Sequence, residues 1–522
     1  VKDKTINRKL PFWHKGLLAF LLYLCLLIFH GYIFGYEDQI EIVPVLYQMD
    51  HPEIYQNDFF IQEVLKKPVH ERWFFIHTLH FFHLFNPGIF LLLHAFFSCV
   101  LIMGLDKVAS SFIKKTFVRW LSILTVLLIL YNINLGGNEL YYNSLIPSLV
   151  AKALAIWGIY CIWKRIWKWA IPLLICTTFI QPLVGIQVTL LSFLSLIPFS
   201  KKELVPEIKR LIVPLGIILA FILPWLYLLF AQHSKGDISN DLVFEILEFR
   251  LSHHFFPAWF SLSGFLLLPV LAFIGIRVFR KQAPYLAKFI GWIIVGCVVY
   301  TLGVEVFEIP LFLDTQWFKS TIWLKAFGVF AVFHLVEKWL TGKNRERYPI
   351  LKVLEWPLLA WLIPMVTLIS IYLVKLSPFP IVKDRPYDFL WVHTLTPEQE
   401  ICKIAGDVSE PSAIFAVPPD FTMFKWYSKR NSYVDFKAMI HHKDVMAEWY
   451  KRVQFVYEIN LESKLQQPDL NGAAHAYLGQ LDSKTLVEWK SKGIDYLITD
   501  RKNELPMDVV GSNERYVIYE VE

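Results

Sequence analysis

Two adjacent carboxylates, Glu37 and Asp38, follow an apolar run that ends near Phe34, in the stretch YEDQIEIVP. A carboxyl group at a membrane boundary is partly desolvated, which raises its pKa and suits it to take a proton near neutral pH. Glu41, Asp50, His51, Glu53 and Asp58 crowd into the same loop beside prolines, and each reads as part of a solvated connector. Only Glu37 and Asp38 stand at the boundary itself. They are the candidate catalytic pair.

Cations and polar groups recur at the ends of later apolar runs. Lys152, in IPSLVAKALAI, lies about a turn and a half into a span, where a charge is costly unless paired or in a wet cavity. Glu139, in NLGGNELYYN, is displayed beside Tyr141, Tyr142 and Asn143, a mix suited to sugar hydroxyls and ring faces and equally to an interfacial turn. In ILEFRLSHHFFPAW, Arg250 with His253 or His254 could clamp an anion, because guanidinium forks onto phosphate oxygens; interfacial anchoring explains them too. Glu305 and Lys325 both fall inside apolar segments, with Gln316 and Lys319 at the entrance. The two buried ions can pair with each other. Alternatively, Lys152, Arg250, Lys319 and Lys325 together face a lipid-linked phosphate. The candidate substrate-binding set is thus Lys152, Glu139, Arg250, His253, His254, Gln316, Lys319 and Lys325. His77, His80 and His83 recur every third residue among phenylalanines, but without an accompanying carboxylate or cysteine the segment 70–87 reads as an interfacial helix. No metal site is assigned, and no Walker loop, GxGxxG, HExxH or GxSxG pattern occurs.

The elements that must position these residues follow from composition. Of 522 residues, 55% are hydrophobic and 18% charged, and the mean hydropathy is +0.44. The expectation is a polytopic α-helical membrane protein. Candidate spans are 16–36, 88–105, 118–134, 147–163, 210–231, 257–277, 287–307, 318–339 and 353–376. The stretch 169–199 is too long for one span, and Pro182 and Gly185 in FIQPLVGIQ divide it into two helices. That makes about 11 transmembrane helices. With this division, every group of lysines and arginines, from Lys2–Lys15 to Lys338–Lys352, falls on one side, which the positive-inside rule assigns to the cytoplasm. The basic start, VKDKTINRKLPFWHK, precedes an apolar segment without a small-residue cleavage site and reads as an anchor. Scattered basic groups mark topology rather than a nucleic-acid surface, so no nucleic-acid partner is expected.

Loops 37–87, 135–146, 232–256 and 308–317 then face outward together with the tail. The tail is polar, and short β-like runs (AIFAVPP, SYVDF, DYLITD, RYVIYEV) alternate in it with helix-like stretches around 443–457 and 482–492. We expect a transmembrane domain over 1–376, a proline-rich linker at 377–386, and an extracytoplasmic soluble α/β domain over 387–522. Lys425, Lys429 and Arg430 form a modest basic cluster near Trp426, read as surface charge or as a site for an anionic lipid head or glycan. Five of the six cysteines lie in apolar runs, so no disulfide framework is indicated.

A basic tail, one span, a carboxylate pair opening a long outer loop, many further spans and an external C-terminal domain resemble the GT-C class of polyprenyl-phosphate-sugar glycosyltransferases. The segments YEDQ, VPVLYQMDHPEIYQNDFF, IPSLVAKALAI, FIQPLVGIQ, RLSHHFFP and VPPDFTMFKWYSKRNSYVDFK look like a bacterial group of GT-C-like multi-pass proteins. The resemblance implies that Glu37 or Asp38 is the base or a metal-binding group and that Arg250 or Lys319 holds the donor phosphate. It departs from the class in carrying Glu-Asp-Gln where many members have an aspartate-centred pair. No cofactor is expected, although the resemblance allows a divalent metal at the acidic loop. The expected partners are membrane lipid, a polyprenyl-phosphate-linked sugar and a glycan or lipid acceptor, at the outer face of a bacterial cytoplasmic membrane. A non-catalytic lipid-carrier transporter or envelope-assembly scaffold is the alternative.

Overall fold

The computed structural model describes residues 11–67, 69–233, 236, 238–341, 357–376, 395–466, 469–503 and 505–522. The expected linker at 377–386, the tail as far as 394, and the basic residues before 11 and between 342 and 352 lie outside the described residues. The chain forms two compact units: Val1–Tyr32, Leu91–Trp225 and His253–Tyr387 make the first, and Ile33–Phe90, Leu226–Ser252 and Asp388–Glu522 the second.

The first unit is helical. Among the described residues of the whole chain, six helices are long and apolar enough to cross a membrane: Phe12–His30, Pro87–Ala109, Lys201–Ala231, Leu262–Gln282, Pro284–Val306 and Pro310–Thr341. Five shorter apolar helices accompany them: Thr116–Ile129, Pro147–Trp163, Trp167–Ile180, Pro182–Leu196 and Leu359–Ile371. The chain is a polytopic helical protein. Proline opens several helices, at Pro147, Pro182, Pro284 and Pro310, where its missing N–H costs nothing. The stretch 169–199 does divide, because Gln181 turns extended ahead of Pro182. The helix Lys201–His233 instead continues through Pro206, Pro214 and Pro224.

Several boundaries differ from the sequence expectation, and two of them show why. The first helix ends at His30, six residues early, because Gly31 adopts φ 82°. The span expected from 257 begins at Leu262, after a short 3-10 turn at Pro257–Trp259, where the Ser261 side chain caps Gly264 N–H.

The second unit joins the first long loop to an α/β sheet. Five strands, β1 (Ile414–Ala416), β2 (Asn431–Ser432), β3 (Tyr496–Asp500), β4 (Val509–Ser512) and β5 (Tyr516–Glu520), lie in the order β2-β1-β3-β5-β4. Here β2, β1 and β3 run parallel, whereas β5 is antiparallel to both β3 and β4. Phe415, Ile498, Tyr516 and Ile518 point to one face, with Ile401, Cys402 and Ala405 of helix Pro397–Val408 and Phe424 of helix Phe424–Ser428. The alternate residues Leu497, Val517 and Tyr519 are also buried, and helix Leu470–Leu478 contacts β3. A parallel core covered on both faces has this pattern. β4 was not anticipated; its VVGS is too short and too exposed to mark a strand by pattern.

Loop residues 43–81 form three short helices, Val43–Asp50, Phe59–Lys66 and Trp73–Phe81. The last turns Phe75, Ile76 and Leu79 inward and ends at Phe81, two residues ahead of a left-handed His83 (φ 50°), so the segment 70–87 is not one flat helix. Asp58 is not a solvated connector. Its side chain caps the Phe59–Lys66 helix through Ile61 N–H at 2.9 Å, accepts from Ser432 N–H at 3.0 Å, and pairs with Lys425 at 2.7 Å. Both ionic side chains are 0% exposed, and Lys425 also pairs with Asp435.

Of the expected surface cluster Lys425 is buried, while Lys429 and Arg430 are half-buried. Lys429 lies over Trp426 and Tyr47, 3.3 and 4.1 Å from their ring centroids, and burial pulls its amine down to about 7. Arg430 donates to carbonyls of Gly406 and Ser409. Lys425 and Arg430 have polar partners, whereas among the described residues Lys429 Nζ has no hydrogen-bond partner and faces the two rings alone.

Replacing Lys425 by Met leaves Asp58 and Asp435 buried without their counter-ion and should destabilise the second unit by roughly 3–5 kcal/mol. Thermal denaturation of the detergent-solubilised protein reads this loss. A second measurement concerns pH. His70 is buried, and burial holds its imidazole down at about 4 from 6.5, with Nδ1 accepting Arg72 N–H at 3.3 Å. The unfolded chain protonates first, so His70's contribution is complete above 6.5 and drains away as pH falls toward 4, by roughly 3 kcal/mol. His70→Asn should flatten that part of the stability–pH curve.

Candidate functional site

In the second unit the acidic pair is held by a strained turn. Gly35 has φ 87°, and a Cβ there would sit 2.5 Å from Trp426 Cγ, so only glycine fits. Its N–H donates to Gln39 Oε1 at 2.8 Å. Glu37 itself is left-handed (φ 54°), and its N–H donates to Thr422 Oγ1 at 3.1 Å. A non-glycine residue held in that region marks stored strain of the kind that gathers at functional sites.

The Lys437 ammonium lies 2.5 Å from Glu37 Oε2 and 3.0 Å from Asp38 Oδ1, with the two carboxylates 48% and 51% exposed. Burial lowers the Lys437 pKa, but Asp38 and Glu37 outweigh it and the net shift is upward. Arg250, on helix Asn240–Phe255, donates Nε–H to Phe436 O at 2.7 Å and Nη2–H to Lys437 O at 3.1 Å. Burial brings its guanidinium down to about 10, against the favourable fields of Glu41 and Asp38. Glu41, whose carboxyl burial pushes up, pairs with Arg72. Glu37, Asp38 and Arg250 are thus brought together around residues 436–437. Sequence reasoning missed Lys437, because a single lysine after the β-like run SYVDF carries no distinguishing signal.

In the first unit the loop 134–142 organises most of the remaining candidates. Gly136 and Gly137 are left-handed (φ 74° and 58°), and a Cβ on Gly137 would meet His254 at 2.5 Å. Lys325 donates to Glu139 Oε2 at 2.7 Å and to Leu130 O at 2.9 Å, and Asn134 donates to Glu139 Oε1 at 2.7 Å. Lys152 is fully buried and donates to Asn138 Oδ1 (2.6 Å), Glu139 O (2.5 Å) and Tyr142 OH (3.2 Å). Asn138 Nδ2 donates to Lys319 O at 2.9 Å. His254 Nδ1 lies 3.0 Å from Gly136 O. Gln187 donates to the carbonyls of Thr315 and Gln316, the latter left-handed at φ 38°. His253 is exposed, and its ring is tilted by 41° against that of His254, with centroids 4.1 Å apart.

The partner expected for Lys325 is corrected. Glu305 accepts Ala258 N–H at 3.0 Å at an exposed position, and Lys325 pairs with Glu139 instead. Glu305 sits in a π-helical turn at its helix end, while the Lys325 ammonium donates to the carbonyl of Leu130, the residue that follows the Thr125–Ile129 turn. Arg250 and His254 likewise go to different partners, with helix Asn240–Phe255 broken at Leu251 (φ −130°) between them.

Residues 396–456, which carry β1, β2, Lys425, Asp435 and Lys437, match the model of a family described as a domain of unknown function, DUF6798. No curated protein matches the chain.

Lys325→Met should cost roughly 3 kcal/mol by leaving the Glu139 carboxylate buried and uncompensated, and the Lys325→Met, Glu139→Gln double variant should regain most of it. Melting temperatures of the four forms in detergent close the cycle; strict additivity would contradict the pairing.

Proposed function

We propose that this chain is a membrane glycosyltransferase of GT-C type, moving a sugar from a polyprenyl-phosphate donor to a glycan or lipid acceptor at the outer face of the cytoplasmic membrane. In this reading the apolar helices make about 11 spans, the N-terminus is cytoplasmic, and the α/β sheet is extracytoplasmic. The observation that carries it is the gathering of Glu37, Asp38, Lys437 and Arg250 around one short segment.

Glu37 takes the proton of the acceptor hydroxyl as that oxygen attacks the anomeric carbon. The bond from that carbon to the phosphate oxygen breaks, and polyprenyl phosphate leaves with the electron pair. Glu37 is chosen over Asp38 for its left-handed backbone. Lys437 and Arg250 supply positive charge for the leaving phosphate, which makes a nucleotide unnecessary.

A second reading rests on a specific observation: both carboxylates already face Lys437, and Arg250 is already bonded to two carbonyls. Groups so engaged also suit a non-catalytic lipid-carrier transporter or an assembly scaffold. Envelope glycan composition separates the two in cells whose only copy is Glu37→Gln or Asp38→Asn. The transferase reading expects Glu37→Gln to lower glycan output about 10²–10⁴-fold at normal protein level, and Asp38→Asn to lower it less. Undiminished output in both variants would leave the scaffold reading.

A further inference from the structure

We propose that the three short helices of the first long loop enclose a binding site for a small neutral guest with an apolar body and one hydroxyl, an alcohol or a phenol, held between His70 and His77. Helix Val43–Asp50 packs against both Phe59–Lys66 and Trp73–Phe81. The three leave between them a cavity of about 100 Å³. Met49, Leu65 and Trp73 line it, one from each helix, and its polar lining residues are Lys67, His70 and His77.

Two of these polar groups are only half used. The Lys67 ammonium is answered by Asp444 at 2.7 Å, so its stem alone serves the wall. His70 is 5% exposed, and its Nδ1 accepts the backbone N–H of Arg72 at 3.3 Å, which places the ring's proton on Nε2. His77 Nδ1 lies 2.9 Å from Trp73 O, an oxygen that only accepts, so in the neutral ring Nδ1 carries the proton and Nε2 keeps its lone pair. Among the described residues neither Nε2 has a hydrogen-bond partner. One buried donor and one acceptor are thus left open on the wall of a cavity, and a buried donor left unmade is costly.

Size, charge and hydrogen bonding together select the guest. The space exceeds what one water fills, and further waters would lack the two to four polar partners each requires. An apolar cavity of about 150 Å³ holds a benzene ring. Here Leu65, 43% exposed, stands at the mouth, so a guest of roughly four to six carbon atoms can enter. Burial holds the His70 imidazole neutral and Lys67 is already paired, which leaves no group in the wall to answer an ion. A hydroxyl accepts from the His70 Nε2–H and donates to His77 Nε2 through one oxygen. The inference makes no use of Glu37, Lys437 or Arg250 and does not require the transfer reading.

The full chain carries seven methionines, few enough for ε-¹³C-methyl NMR in detergent to follow Met49, assigned with Met49→Leu. Phenol, isobutanol and toluene are the probes. At least one of the two hydroxylated probes should move the Met49 methyl saturably, and toluene should bind about tenfold more weakly than that probe. A preference for phenol marks an aromatic guest, and a preference for isobutanol an aliphatic one. His77→Phe should bring the better probe down to the affinity of toluene, and Leu65→Trp should abolish the saturable shift, both at unchanged melting temperature. Should His77→Phe misfold, Leu65→Trp still decides. No saturable shift with either hydroxylated probe, toluene binding as tightly as both, or a shift that survives Leu65→Trp overturns the proposal. Since no transfer is measured, its failure leaves the Glu37 chemistry to its own experiment.

Discussion

A lysine with no access to water holds the second unit together. Lys425 is charged and wholly enclosed, which is affordable only because Asp58 and Asp435 approach it directly and Tyr55 OH donates to its carbonyl at 2.5 Å. Asp58 in turn caps the Phe59–Lys66 helix and accepts from Ser432 at the end of β2. One carboxylate thereby ties a loop near the start of the chain to a strand more than three hundred residues later. Burial lowers the Lys425 pKa, but the two carboxylates reverse the shift and raise it, so the ammonium persists across the physiological range. Desolvation sets a high threshold, and once partners meet it their geometry leaves little freedom.

With that loop fixed on the sheet, the Glu37 turn follows. Gly35 packs against Trp426, and Glu37 N–H is taken by Thr422, so the turn is held from both ends by the segment that also bears Lys425. The left-handed Glu37 is tolerated because its surroundings over-determine it. Lys437 then meets the acid pair, and the carbonyls of Phe436 and Lys437 receive Arg250. The matched domain contains the lysine side of this arrangement, and its acids come from outside the matched segment.

The first unit solves the same problem with different groups. Two buried lysines share the neighbourhood of one carboxylate, and neutral acceptors make up the difference: Asn138, Tyr142 and the Glu139 carbonyl surround Lys152. Gly136 and Gly137 bend the loop tightly enough for Glu139 to turn toward Lys325 while His254 approaches the Gly136 carbonyl. The surplus of positive charge is a property an anionic headgroup could use, and it is equally a property of a well-hydrogen-bonded core.

Much of this was legible in the sequence because it depends on local or averaged properties. Long apolar runs must be helical to satisfy their own backbone, Pro182 must break one of them, and β-like runs alternating with helices must build a covered sheet. Glu37, Glu139, Lys152, Arg250 and Lys325 stand out in the sequence as charges set against an apolar background. What the sequence could not convey is which opposite charges meet, since Lys325 finds Glu139 and not Glu305, and Asp58 leaves its polar loop for Lys425. Pairing depends on distances between segments far apart in the chain, and a charge reads the same whether solvent or a buried partner answers it. Residue types alone thus determined that ions would sit inside this protein; the folded chain decided their partners, because only there does desolvation force each one to a particular neighbour.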